Sequence, residues 1–377
     1  MADIEHRDPA IDILRGISIL IVLVGHFHIG YRLWPKTGNG FGPILTSLVL
    51  ENEHYAVISF FSISGFLITS NIIRRNGTLG TVDLRQFYLY RFARIVPCLI
   101  LFVIMIAILQ ECGIVFFQLG SEEVPDHLSV LSAFFSFQNV LLVKHGWFSY
   151  CMNILWSISI EEAFYLMMPL MCLMLKKNYL IIISWLVLII VGPIYRAAST
   201  DSLMQHYSYL SCFDAIGYGC CAAILGDRAR RETWNLPVMP LRLVGVVFLL
   251  GASLAQRQIS VTCGVSIIAF GTALILITSS RVTGNEYSGE AGSVKWITWF
   301  GRHSYELYLF HIIVLAGMRS FAGSGIITPV WRPIWFVIFI AGSMLLATIV
   351  TRYYSEPANV VLRRAFQRYP PAATAVS

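Results

Sequence analysis

Long apolar runs limit what this chain can fold into more than any other feature. Ten segments of about twenty residues are poor in charge: roughly 11–30, 55–73, 95–117, 153–175, 179–195, 211–227, 239–256, 261–280, 304–321 and 331–352. A hydrocarbon core of ~30 Å needs about twenty helical residues at ~1.5 Å each. Runs that are continuous rather than alternating exclude a transmembrane β-barrel. The expected fold is therefore all-α, a polytopic membrane bundle of about ten helices. It forms one domain over residues 1–377, with a helical core at about 11–352 and a tail at about 353–377. An eleventh stretch, 128–143, is short and carries Ser129, Ser132, Ser136, Gln138 and Asn139, which suits a re-entrant or interfacial helix. Only 13% of residues are charged, against 56% apolar, where a soluble domain has about 25% charged. That excludes a water-soluble enzyme, a nucleic-acid-binding domain and a disordered chain.

Loop charge sets the orientation. With the N-terminus in the cytoplasm, 20 of the 27 Lys and Arg residues fall on the cytoplasmic side and 7 on the outer side. Both termini are then cytoplasmic, and 128–143 does not span. The net charge of +6 records this bias rather than a nucleic-acid partner. The eight cysteines lie mostly inside apolar runs, with no CxxC and no His at metal-ligand spacing. They read as packing residues, and no metal site is expected. The first apolar run carries Asp12, Arg15 and two His, which suits a retained span rather than a cleaved signal.

An ionisable group inside a span is costly, so each one needs a partner or a use. Arg15 and His26 are eleven residues apart, close to three helical turns, and so share one face about 16 Å apart along the axis. They are either a snorkelling Arg and a packing His, or an anion anchor and a general base. His28 points elsewhere and reads as interfacial. Ser62, Ser64 and Gly65 allow a close helix approach, with Ser64 also a candidate hydroxyl contact. Arg91 and Arg94, at i and i+3, are either inside-positive anchors or a phosphate-binding fork. Trp156 opens a run in which Glu161 and Glu162 sit side by side at the start of an apolar helix, Glu161 sharing a face with Tyr165. Asp214, Tyr305 and His311 are further candidates for lining a substrate path or pore. The residues alone leave two readings: a membrane enzyme with His26 as base, or a permease using the same groups as a relay.

Five runs in order carry a resemblance. They are Asp12-x-x-Arg15-Gly16 followed by His26; Phe60-Phe61-x-Ile63-Ser64-Gly65-Phe66-Leu67-Ile68; Phe87-Tyr88-x-x-Arg91-x-x-Arg94-Ile95-x-Pro97; Trp156-Ser157-x-x-x-Glu161-Glu162-x-Phe164-Tyr165; and Gly301-Arg302-x-Ser304-Tyr305-x-Leu307-Tyr308-Leu309-x-His311. From about Ile11 to Pro357 the chain resembles the bacterial membrane acyltransferase-3 family, in the form without an extra soluble esterase-like domain. Departures include Ala56-Val57-Ile58 before the Phe-Phe pair, Tyr90 where a further Arg is common, and Glu306 and Phe310 for the usual Ser and Trp.

The resemblance implies a multi-pass enzyme of the bacterial inner membrane. Such an enzyme moves an acyl group, commonly acetyl, from acyl-coenzyme A to a hydroxyl of a carbohydrate or related acceptor, as in polysaccharide modification. It implies His26 as the catalytic histidine, Arg15 as its essential partner, and Arg91 and Arg94 as acyl-donor ligands. Either Glu161 or Glu162 orients the imidazole or the acceptor. Transfer is direct or passes through an acyl-histidine. The competing function is a permease or translocator of a lipid-linked sugar or small metabolite. The charge bias makes a topological prediction. Reporter fusions after Arg74, Arg230 and Arg363 report from the cytoplasm and one near Asp126 from outside; a cytoplasmic signal at Asp126 rejects the ten-span arrangement.

Overall fold

The computed structural model describes residues 9–33, 52–254, 260–279, 292–323 and 325–367. The segments 34–51, 255–259 and 280–291 and both chain ends lie outside them. So do Arg7, Lys36, Arg257, Arg281 and Arg368, which enter the orientation count.

Among the described residues the chain is helical and contains no strand. The helices are α1 (Pro9–Tyr31), α2 (Glu53–Asn76), α3 (Leu84–Glu111), α4 (Asp126–Phe134), α5 (Gln138–His145), α6 (Trp156–Leu175), α7 (Asn178–Ala198) and α8 (Ser202–Tyr207). They continue as α9 (Tyr209–Arg231), α10 (Val238–Leu254), α11 (Val265–Ser279), α12 (Gly292–Arg302), α13 (Ser304–Phe321), α14 (Arg332–Val350) and α15 (Glu356–Gln367). Every one of the ten apolar segments is a helix. Eight helices are long and apolar enough to cross a bilayer by length and composition. The other two expected spans are α10, with 17 residues, and α13, with 18 residues and Glu306 and Arg319 near its ends. The architecture is that of a polytopic helical membrane protein.

Three boundaries depart from expectation. The stretch 128–143 is two helices of 9 and 8 residues, α4 and α5, each too short to cross a bilayer. Several of its polar side chains bond inside the protein. Gln138 donates from Nε2 to the Met152 carbonyl (3.1 Å) and accepts from Ser132, while Asn139 donates to the Tyr207 carbonyl (3.2 Å). The third span starts at Leu84, where the Asp83 side chain accepts from the Gln86 N–H (3.0 Å), and stops at Glu111, short of residue 117. The Arg91/Arg94 run is thus continuous with the span. The tail is not merely a basic extension: a π-helical turn at Thr351–Ser355 leads into α15, which packs against α3.

Between membrane helices, lipid supplies no hydrophobic driving force, so close packing and polar contacts set the arrangement. At the α2–α9 crossing, a Cβ on Gly219 would sit 1.9 Å from the Ser62 carbonyl oxygen, and one on Gly65 would sit 2.2 Å from that of Ile216. Ser62 donates to the Ala215 carbonyl across the same contact (2.9 Å). Gly65 and Ser62 therefore serve close approach, as their small side chains suggest.

Asp214 does not line a path. It is fully buried against Arg196 of α7, with contacts of 2.7 and 3.1 Å. Arg196 spends all five N–H groups: two on this carboxylate, one on the Ser266 hydroxyl (2.7 Å), and two on the carbonyls of Thr262 and Ser211. Ser266 returns a bond to Asp214 (2.6 Å). Removing one partner of a buried pair costs about 3–5 kcal/mol, because the survivor is an uncompensated charge. Asp214→Ala is expected to shorten the thermal half-life of the detergent-purified protein sharply. The double variant Arg196→Met/Asp214→Leu recovers part of that loss. A single variant with normal half-life and reduced turnover would return Asp214 to the substrate path.

Candidate active site

α1 and α13 run side by side, and their contacts assemble the first half of the site. Asp12, buried, meets Arg302 at 3.3 Å. Arg15, also buried, places Nε and Nη2 on the Ser304 hydroxyl at 3.1 and 2.8 Å. Eleven residues on, His26 meets His311: Nδ1 of His26 is 3.1 Å from Nε2 of His311, with ring centroids 4.9 Å apart. Both side chains of the Arg15/His26 pair thus turn toward α13.

The tautomers of the histidine pair follow from the hydrogen bonds. Nδ1 of His311 lies 3.0 Å from the Leu307 carbonyl, which can only accept, so that nitrogen carries a proton. In the neutral ring Nε2 is then an acceptor, so His26 donates to it from Nδ1. That leaves Nε2 of His26 with a lone pair, the form a general base requires. His311 is fully buried, and its position is fixed by packing as well as by Leu307.

A second cluster lies across the bundle. Tyr165 of α6 donates to Glu161 Oε2 (3.0 Å) and shares a hydrogen bond with Ser64 of α2. The Arg91 guanidinium stacks over the Tyr165 ring at 3.9 Å. The charges of Arg15, Arg91 and Arg94 act on Glu161, and those of Arg91 and Arg94 on Glu162. Oε1 of Glu162 is buried without a hydrogen-bond partner among the described residues. The ring partner of His26 is His311 rather than either carboxylate, which leaves orientation of the acceptor as the other role expected of Glu161 or Glu162.

The remaining candidates are spread along the bundle. Tyr305 donates to the Ile95 carbonyl (3.0 Å) and ties α13 to α3. Trp156 is buried between His54 (5.6 Å, stacked) and Tyr207 (4.7 Å, edge-on). His28 is buried, not interfacial, with its place in the packed face of α1. Two residues next to the histidines are absent from the sequence candidates. Tyr308 lies 6.1 Å from His311 by centroid and is held by the Ser157 hydroxyl (2.6 Å) and the Ile154 carbonyl (2.8 Å). Glu53 rests on Gly25, where a Cβ would fall 2.8 Å from its own. The Tyr165 signal was present in the Glu161–Tyr165 spacing; Glu53 carried none.

At the Arg75 end of α2 a groove opens toward solvent, lined by Arg75, Arg91, Arg94 and Arg363 together with Asn71, Asp83 and Tyr90. The groove and the His54–Trp156 cluster occupy opposite ends of α2 and α6.

A family model described as an acyltransferase domain matches residues 8–353. The chain is 23% identical over 381 residues to the peptidoglycan O-acetyltransferase OatA of Listeria monocytogenes, an alignment covering 93% of this chain and 55% of that protein. It is 24% identical over 386 residues to the O-acetyltransferase OatA of Staphylococcus aureus, covering 96% and 59%. The chain thus spans less than three fifths of the length of these relatives. No solved structure matches it.

The pair geometry separates three histidines by experiment. A positioned base contributes roughly 10²–10⁴-fold in rate. His26→Ala is expected to lose detectable acyl transfer at normal membrane abundance. His311→Ala lowers kcat at least about tenfold through loss of the tautomer, with donor KM unchanged. His28→Ala keeps turnover per folded molecule. Equal loss in the His26 and His28 variants would reject the assignment.

Proposed function

Because the chain belongs to the acyltransferase-domain family, matched over residues 8–353, we propose that it is a membrane O-acyltransferase carrying acetyl groups from acetyl-coenzyme A to a carbohydrate hydroxyl. The observation that carries this reading is the His26–His311 pair, whose hydrogen bonding leaves Nε2 of His26 able to take a proton.

The donor is a phosphorylated thioester, and the arginine groove offers the matching chemistry. Arg91 and Arg94 bind its diphosphate through bidentate, charge-assisted bonds. The pantetheine arm passes Arg15 and Tyr165 toward His26, about 16 Å beyond Arg15 along α1. The acceptor enters from the other end, beside Trp156, Tyr207 and the exposed Trp147, whose rings suit the C–H faces of a sugar. Nε2 of His26 removes the acceptor hydroxyl proton as the oxygen attacks the thioester carbonyl. Collapse of the tetrahedral centre breaks the C–S bond, and the proton passes from His26 to the departing thiolate. Glu162, with a buried oxygen to spare, contacts the donor or the acceptor. The likeness to the peptidoglycan O-acetyltransferase of Listeria monocytogenes makes a cell-wall glycan the first acceptor to try.

Purified protein in detergent, given acetyl-coenzyme A and a peptidoglycan-derived oligosaccharide, is expected to release coenzyme A in step with O-acetylated product. Arg94→Lys and Arg91→Lys keep the charge but lose the fork, so the donor KM rises about tenfold while abundance is unchanged. Wild-type donor affinity in both would leave the two arginines as membrane anchors. Acceptor transport without thioester cleavage would establish the permease.

A further inference from the structure

Three histidines of this bundle turn Nδ1 back onto the carbonyl four residues earlier. His206 lies 2.7 Å from the Ser202 oxygen, His303 2.9 Å from that of Trp299, and His311 3.0 Å from that of Leu307. His54 has no such recourse. It is the second residue of α2, so no helical turn stands behind it to supply the carbonyl. Neither of its ring nitrogens has a hydrogen-bond partner among the described residues, and both are shut from solvent. A neutral imidazole carries one donor and one acceptor, and buried polar groups nearly always find partners. Packing holds the ring instead. It stacks on the buried Trp156 at 5.6 Å and meets His206 and Tyr207 edge-on at 5.0 and 5.7 Å. From Trp156 the rings lead outward to Tyr207 (4.7 Å) and then to Trp147 (5.4 Å), which is 61% exposed. Two links tie this cluster to the histidine pair. Glu53, just before His54, rests on Gly25, just before His26. Ser157, just after Trp156, bonds to Tyr308, whose ring lies 6.1 Å from that of His311.

We propose that His54 is a specificity-determining residue of the acceptor site, its imidazole bonding to a hydroxyl of a pyranose whose C–H face lies on the neighbouring aromatic rings. The inference rests on the carbohydrate O-acyltransferase reading above and names the group that reads the acceptor. An aromatic face accepts the apolar side of many sugars alike, whereas a hydrogen bond to one hydroxyl tells them apart. A buried polar group with no other partner also rejects an analogue lacking the matching hydroxyl, because its unpaired state then persists in the complex. Access takes the rotation of one side chain. His206 stands on α8, a helix of only six residues, is half-buried, and its ring bonds within its own turn. Swung outward, it uncovers an edge of the His54 ring on the side where the cluster opens toward Trp147.

The test uses the full chain in detergent, with a peptidoglycan-derived oligosaccharide as probe. Binding is read by saturation-transfer NMR, beside acetyl transfer from acetyl-coenzyme A. In wild type the C–H protons of a pyranose ring take up saturation from the protein. H54F keeps an aromatic ring of similar shape and removes both unpaired nitrogens. It is expected to bind the probe about tenfold more weakly and to raise the acceptor KM in step, with the donor KM unchanged. The ligand-free variant gains thermal half-life, because a buried polar group without a partner is gone. H54N or H54Q brings binding back to within about threefold of wild type, since an amide both donates and accepts. A histidine that only packs behaves differently: H54F with wild-type affinity, or with a shortened thermal half-life, overturns the proposal. So does failure of both amide variants to recover binding, or a wild-type protein that transfers no saturation to the probe. Failure of the transferase reading looks different, because the probe then binds in a His54-dependent way and no thioester is cleaved.

Discussion

The ionisable side chains that are most fully satisfied inside this bundle take their partners from other helices, and those contacts fix how the helices meet. A charge or polar group facing lipid costs several kcal/mol, and lipid-facing Leu or Ile gives no preference for one helix neighbour over another. Arg196 and Asp214 show the constraint in its fullest form, with five N–H groups and a carboxylate satisfied by α7, α9 and the start of α11. The Arg15–Ser304 and His26–His311 contacts do the same between α1 and α13. The glycine contacts of α2 and α9 bring backbones close, while these polar contacts choose the rotation at which helices face each other.

That division of labour bears on chemistry. The structural pair at Arg196 is saturated, so nothing remains for a ligand. At Glu162 the accounting is left open: arginines line a groove nearby, and one buried oxygen of this carboxylate has no hydrogen-bond partner among the described residues. Saturation against availability, rather than burial alone, separates a lock from a site. The groove and the aromatic cluster around Trp156 stand at opposite ends of α2 and α6.

The helical scaffold was legible because lipid imposes a length and an apolarity that can be read off a single strand of sequence; all ten runs are helices. What escaped is what depends on partners far along the chain. Asp214 looked available until Arg196, eighteen residues away, was brought to it. His28 reads as interfacial, yet the packed face of α1 buries it while His26, two residues earlier, stays half-buried. The 128–143 stretch was ambiguous because serine and amide side chains are equally at home in water and against carbonyls; only the partners Met152 and Tyr207 decide it. His311 was visible as a candidate, but its pairing with His26 spans 285 residues and left no local trace. α15 carries its signal in amphipathic spacing, with Arg363 and Arg364 beside Val360 and Val361, which a basic tail masks.

The choice of a histidine rather than a carboxylate as the partner of His26 has a physical consequence. A carboxylate at Nδ1 fixes the tautomer and stabilises the imidazolium, at the cost of a permanent charge in a poorly solvated bundle. A second imidazole fixes the same tautomer without a standing charge, and its own orientation is supplied by a backbone carbonyl. The imidazolium formed during transfer is then stabilised only while it exists, by an acceptor lone pair on His311. Such an arrangement suits a reaction in which the proton is held briefly, because an activated thioester expels a stable thiolate that takes it back. The glutamates, not bonded to His26, lie instead within electrostatic reach of the arginines.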